Sequence, residues 1–340
     1  MKKTLIKALS LMCALSMTLS ALAACQQKGD DKSKTQNEAE ATGIHHVTFN
    51  SNGGSTIHPV DVYHDNYLEE PTQPTRENYI FSCWEHNGDK WGFHIKKITE
   101  DITLDAVWLP AHEIFKTEPT ENKNEILISG FFIEAQKEFE LLVIPSVING
   151  KTVVGFTDGA FESIYDSYAH KIVIPKTVTH VGQNAFADID SVHIEFSGPL
   201  TSLSPFAFKD CEHLESITLG EGITVIPNEC FYNARSIEVL DIPKGVTTIQ
   251  ENAFYGCSSL SSMFLPSSLT SIEDSAFKGA FQSAKNEILY EGTKEDFEKI
   301  NIANNNEDLL AAKIYFYSET EPTSEGNYWH YDESNNFKPW

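Results

Sequence analysis

The sequence predicts a mainly β fold with short helical turns: a solenoid of stacked coils behind a small β-rich module. Three observations carry this prediction. Ala-Phe, once Cys-Phe, recurs at Phe161, Phe186, Phe208, Phe231, Phe254 and Phe277, at intervals of 25, 22, 23, 23 and 23 residues. Between these phenylalanines fall apolar pairs two residues apart: Ile172/Ile174, Ile194/Phe196, Ile217/Leu219, Leu240/Ile242 and Met263/Leu265. Residues 44–110 lack the period and carry aromatic runs between Gly and Pro turns. A fixed period of 20–50 residues marks a repeat architecture, and a period of two marks a strand with one buried face.

In chain order, Lys2, Lys3 and Lys7 precede an uncharged run from Ala8 to Ala24, followed by Cys25. A basic start, an apolar core and small residues at a cleavage point read as a secretory signal over residues 1–24. The tetrapeptide Leu22-Ala23-Ala24-Cys25 resembles the lipobox of bacterial lipoproteins. That resemblance implies that Cys25 is lipidated and anchors the protein on the extracellular face of a bacterial cell membrane. Simple cleavage after Ala24, with release, is the alternative. The rest of 25–43 has no large apolar residue, so it cannot offset its ordering entropy by burial and reads as a disordered tether, spanning roughly 20–25 Å.

Residues 44–110 contain "HHVTFNSNGGS", a strand entering a glycine turn, "PTQPTRENYIFSCW", a Pro-marked loop leading into an aromatic strand, and "ITEDITLDAVW", a closing strand. These strands and their Trp anchors read as a small independent β-rich fold. The segment is similar to the internalin-type B repeat, or Listeria–Bacteroides repeat, which implies a β-grasp-like fold used for spacing or adhesion. Asn78 and Cys83 stand where that family has glycine, while Val47, Phe49, Tyr79, Phe81, Trp84, Leu104 and Trp108 keep its apolar frame. Residues 111–152 are expected to form a linker and the N-terminal cap, with strands bracketing a polar turn inside 125–144.

Over 153–290 each phenylalanine is preceded, by eight and five residues, by another apolar pair: Val153/Phe156, Val178/Val181, Leu200/Leu203, Ile223/Ile226, Val246/Ile249 and Leu269/Ile272. Each unit therefore reads as a strand, a bend, a second extended piece and a short helical turn bearing the phenylalanine. One unit cannot bury its own apolar face, whereas stacked units can. Successive strands are expected to pair in parallel, about 4.8 Å apart, with the rings stacked along one edge. The run "IPKGVTTIQENAFYGCSSLSSMFLPSSLTSIEDSAF" resembles the BspA-type leucine-rich repeat of surface proteins. The resemblance implies a leucine-rich-repeat solenoid and a role in adhesion. Residues 291–340, ending in the aromatic "NYWHYDESNNFKPW", are expected to cap the array.

Composition narrows the function. The formal charge is −24, and loss of the three signal lysines takes it to about −27 by the same bookkeeping. A surface this acidic repels phosphate backbones, so no nucleic-acid partner is expected. Cys211, Cys230 and Cys257 fall in core columns of the repeat and read as free buried thiols. The cluster His45, His46, His58, His64, His86 and His94 lacks metal-ligand spacing. No metal, no cofactor and no enzymatic activity is expected, since neither a nucleophile elbow nor a phosphate loop is present. Outward positions between the buried strand pairs are Val173, Glu195, Thr218, Asp241 and Phe264, and the last four are the candidate binding residues. The expected partners are the membrane, through the lipid anchor, and a protein or the extracellular matrix. A glycan stacked on Tyr328, Trp329, Tyr331 and Trp340 is the alternative.

Overall fold

A computed structural model describes residues 43–132, 139–163, 169–283, 285–323, 325–334 and 336–340. The signal segment, Cys25 and the tether lie outside the described residues. The predicted period becomes a solenoid with a sheet on each of two sides. The first holds Phe139–Val143, Ala169–Ile174, His193–Phe196 and Ser216–Thr218, all parallel. It resumes with Val239–Asp241, Ser262–Leu265, Glu287–Tyr290, Lys313–Tyr317 and Tyr328–Tyr331, again parallel, and ends on the antiparallel strand Phe337–Pro339. Opposite lie the short strands His180–Val181 and Ser202–Leu203, then Val225–Ile226, Thr248–Ile249, Ser271–Ile272 and Asn301–Ile302. The first ladder is interrupted between Ser216–Thr218 and Val239–Asp241, the opposite one between Ser202–Leu203 and Val225–Ile226. At the bend between the coils of Phe208 and Phe231 the backbones nearly touch: a Cβ on Gly220 would lie 1.9 Å from the Gly198 carbonyl oxygen.

The turn carrying each phenylalanine is tighter than the expected helical turn. The residue two before the ring has positive φ in every coil: Gly159, Asn184, Phe206, Glu229, Asn252 and Ser275. So has the residue two after it: Ser163, Asp188, Asp210, Asn233, Gly256 and Gly279. Left-handed residues end a right-handed helix, and Gly, Asn and Asp bear that conformation most cheaply. The turns also form a hydrogen-bonded ladder. The amides of Phe161, Phe186, Phe208, Phe231 and Phe254 donate to the carbonyl of the residue before the next ring, at 2.7–2.9 Å.

All six rings are fully buried. From Phe186 to Phe277 successive centroids are 5.4, 5.3, 5.3 and 5.1 Å apart and the planes lie within 17°. Phe161 and Phe186 instead meet edge to face at 89°, because Phe156 inserts against both, at 5.3 and 4.8 Å.

Beyond the sixth ring, residues 287–311 build a further coil. Its strands Glu287–Tyr290 and Asn301–Ile302 continue the two sheets, while buried Leu309 and Asn306 stand near the place of Phe and its turn. Asn306 terminates the turn ladder. Its Oδ1 accepts the Phe277 amide at 3.0 Å, and its Nδ2 donates to the carbonyls of Glu273, Ala303 and Asn304 at 2.9, 3.0 and 3.2 Å. Asp308 accepts the Gly279 amide at 2.7 Å.

The first module is a five-stranded mixed sheet in the order Val60–Tyr63, Ile44–Asn50, Ile102–Pro110, Tyr79–His86, Asp89–Lys90, with a parallel central pair. Val47, Phe49, Phe81, Trp84 and Leu104 bury one face under Leu68, Trp91, Phe93 and Ile98. Gly54 is required because a Cβ there would sit 2.4 Å from the Trp108 ring. The two departures from the B-repeat pattern have local reasons. Asn78 has φ 67°, a conformation Asn tolerates in place of Gly, and Cys83 lies at a register shift between the strands Tyr79–His86 and Ile102–Pro110.

The module does not stand apart from the solenoid. Residues 111–131, expected in part as linker, form the helix Ala111–Ile114 and the strands Phe115–Pro119 and Glu125–Phe131. The second of these strands pairs in parallel with Lys151–Phe156. Ile80, Ala111 and Ile114 belong to the same buried cluster as the phenylalanine ladder. Asn78 ties the two parts together: its amide donates to the Val147 carbonyl at 3.0 Å, its carbonyl accepts the Ala111 amide at 2.8 Å, and its Oδ1 accepts the Gly150 amide at 3.1 Å.

Candidate interaction surface

Strand alternation aims every second side chain of the first sheet outward. Val173, Glu195 and Thr218 align across successive strands, as do Asp241, Phe264, Leu289 and Tyr315. The row is not open along its length. The C-terminal segment folds back as a second layer and buries Leu289, Tyr315 and Trp329 in a small outer core, with Phe264 half-buried at its edge. Trp329 is 1% exposed. Its ring meets Tyr331, Tyr317, Phe337 and Phe264 at 4.9, 5.1, 5.9 and 6.2 Å, and its Nε1 donates to the Tyr290 carbonyl at 2.9 Å. The expected solvent position of Phe264 is thus corrected. So is Trp329 as a sugar-stacking platform: a ring closed in on its faces has none to offer.

The polar members of the row differ in their surroundings. Glu195 forms a 2.8 Å ion pair with Lys171. Thr218 is half-buried and Asp241 is exposed. Among the described residues the Asp241 carboxylate has no hydrogen-bond or ion-pair partner. Crowding by the protein around it raises its pKa above the ordinary 3.8. Beside it, burial first and then Glu291, Tyr317 and Asp241 push the Tyr331 phenol up to about 12.

Two features of the opposite sheet escaped the sequence reading. An open groove of about 510 Å³ runs over Leu127, Val154, Phe156, His180, Ser202 and Ser204, rimmed by the loop from Thr120 to Asn122. Thr179, Thr201, Thr224, Thr247 and Thr270 form a column in which hydroxyls of one coil donate to carbonyls of the coil before, for example Thr270 to Thr247 at 3.0 Å. The threonine seven residues before five consecutive rings was legible in the sequence.

Cys211, Cys230 and Cys257 are buried free thiols and Cys83 is half-buried. Burial pushes Cys211 and Cys257 up to about 12 and raises Cys230 as well. In the module, His45 Nε2 lies 2.9 Å from His64 Nδ1, and His46 Nδ1 lies 2.8 Å from Asp61. Among the described residues no group of three or more His, Cys, Asp or Glu side chains is disposed to hold a metal ion, and no helix is long and apolar enough to cross a membrane.

Comparison with known proteins places both parts. Residues 156–284 match the BspA type Leucine rich repeat region in six copies. The six coils of this chain are therefore similar to that repeat region. Ahead of that array, residues 45–107 match the Listeria-Bacteroides repeat domain. A protein of Evansella cellulosilytica is 38% identical over 68 residues, 19% of this chain and 10% of that protein, so the match spans about a tenth of that curated relative. Among solved structures, a leucine rich cell surface protein of Faecalibacterium prausnitzii is 24% identical at a TM-score of 0.47, covering 66% of this chain and 58% of that one. A leucine-rich repeat protein of T. pallidum is also 24% identical, at a TM-score of 0.46, covering 54% of this chain and 85% of that one. The matched residues 156–284 contain the row from Val173 to Phe264.

Proposed function

We propose that this chain is a non-enzymatic surface lipoprotein, held by Cys25 on the extracellular face of a bacterial membrane, that presents its outer sheet face to a protein or extracellular-matrix partner. The observation that carries this reading is the stretch of the first sheet from Val173 to Asp241, which no other segment covers among the described residues. Its inward residues are consumed by the core, while its outward residues are free of it. Stacked coils give such a face a fixed spacing, and repeat proteins use extended faces of this kind for binding. The acidic charge of −24 keeps the face soluble and steers cationic partners toward it.

Two experiments test the reading. Bacteria expressing the chain are labelled with a fatty-acid analogue; label on wild type and none on Cys25→Ala supports the anchor, and equal label on both removes it. The ectodomain, residues 26–340, is used to capture proteins from matrix and cell-surface extracts. No protein retained above a charge-matched control would end the scaffold reading.

A further inference from the structure

The outer face of the first sheet has a step in it. Among the described residues the strands up to Val239–Asp241 are open on their outer side; from Ser262–Leu265 onward the C-terminal segment lies over them, with Trp329 reaching back to Phe264. Asp241 stands at the foot of that step. It is the register partner of Phe264 on the next coil. The neighbouring carboxylates are already compensated, Glu195 by Lys171 and Glu291 by Lys244. Asp241 is not.

We propose that this step is the docking point for a basic side chain, arginine before lysine, of a protein partner. The inference rests on the scaffold reading above and names the chemistry of its contact. A carboxylate beside aromatic rings offers a cation both an ion pair and a π face. The guanidinium, planar and weakly hydrated, exploits both better than an ammonium. Asp241 is exposed and has no cation partner among the described residues, so its carboxylate is open to an incoming cation. The overall acidity of the chain draws cations, not anions, to this face. A saccharide could also use an acid and an aromatic ring, but nothing in the charge pattern favours a neutral ligand.

The test titrates the ectodomain with an acetylated, amidated Gly-Arg repeat peptide and with its Gly-Gln counterpart. Four proteins are compared: wild type, Asp241→Asn, Phe264→Leu and Glu251→Gln, the last removing the same charge from an exposed position on the turn side. Circular dichroism melting confirms that each is folded. The expected result is Gly-Arg binding that Asp241→Asn weakens about fivefold or more, that Phe264→Leu also weakens, and that Glu251→Gln leaves unchanged. Equal loss in Asp241→Asn and Glu251→Gln would reduce the effect to general acidity and overturn the proposal. So would equal binding of the Gly-Gln peptide, or binding of a neutral oligosaccharide that Asp241→Asn abolishes. Extract capture separates this inference from the reading beneath it. A partner held equally by wild type and Asp241→Asn leaves the scaffold standing and overturns the Asp241 contact, whereas no captured protein at all ends the scaffold reading itself.

Discussion

At the scale of single residues, the most consequential polar side chain is Asn306. It is 1% exposed and closes four hydrogen bonds at the end of the turn ladder, its side chain taking the Phe277 amide where earlier coils give the ring amide to a backbone carbonyl. Asn306→Ala is expected to cost about 2–4 kcal/mol in urea denaturation, because it strands buried groups. Asn306→Asp should not rescue the loss, since it keeps an acceptor but removes the donors and buries a charge. Left-handed residues set a second residue-scale term. Phe206 holds φ 62°, a costly conformation for a bulky residue, so Phe206→Asn should raise stability by about 1 kcal/mol. The thiols give a pH signature. Cys211 and Cys257 titrate near 9 when unfolded and at about 12 when folded. The folded state therefore binds more protons through that window. Stability should be intact below about pH 9 and fall as pH rises toward 12, and a thiol reagent should find these sites silent until denaturant is added.

At the scale of elements, the turn and its ring form the unit of cohesion. Phe254 lies between Phe231 and Phe277 at 5.3 and 5.1 Å, fully enclosed. Phe254→Ala is expected to cost about 3–5 kcal/mol, measured by chemical denaturation. Tyr255→Ala, one position on and half-buried, should cost far less. The ring column was visible in the sequence because burial and stacking demand one residue type at one place. The flanking left-handed positions were legible only in part: Asp188, Asp210, Asn233, Gly256 and Gly279 announce the conformation, whereas Phe206 and Glu229 do not. The coil over 287–311 was hidden because Asn306 and Leu309 stand in for Ala-Phe. Hydrogen bonding and burial can be met by other side chains once the fold's end supplies the geometry.

At the scale of the whole molecule, the two parts are joined by a common interior and not by a string. Ile80 from the module is 1% exposed within the solenoid cluster, and Asn78 bonds across the junction to Val147 and Gly150. The module and the first coils should therefore melt as one transition in calorimetry. Ile80→Asp, which places a charge in that interior, is expected to separate the module's melting from that of the array. The candidate site belongs to this scale as well. Glu195, Thr218 and Asp241 could be placed on one row by alternation alone. Phe264 and Trp329 could not be known to cover one another, because residues 65 positions apart meet only after the chain has turned back on itself.

The amino-acid sequence by itself determined the repeat, its period, the inward face of each coil and the rings that hold one coil to the next. It could do so because those features arise from local alternation and from each unit's need to bury its apolar side against a near-identical neighbour. Which part of the outer face remains open, where the ladder is closed and how the first module is held were decided by the tertiary structure. Each depends on a meeting between segments distant along the chain, and no local spacing encodes where a tail, a side-chain amide or a foreign strand will find its partner.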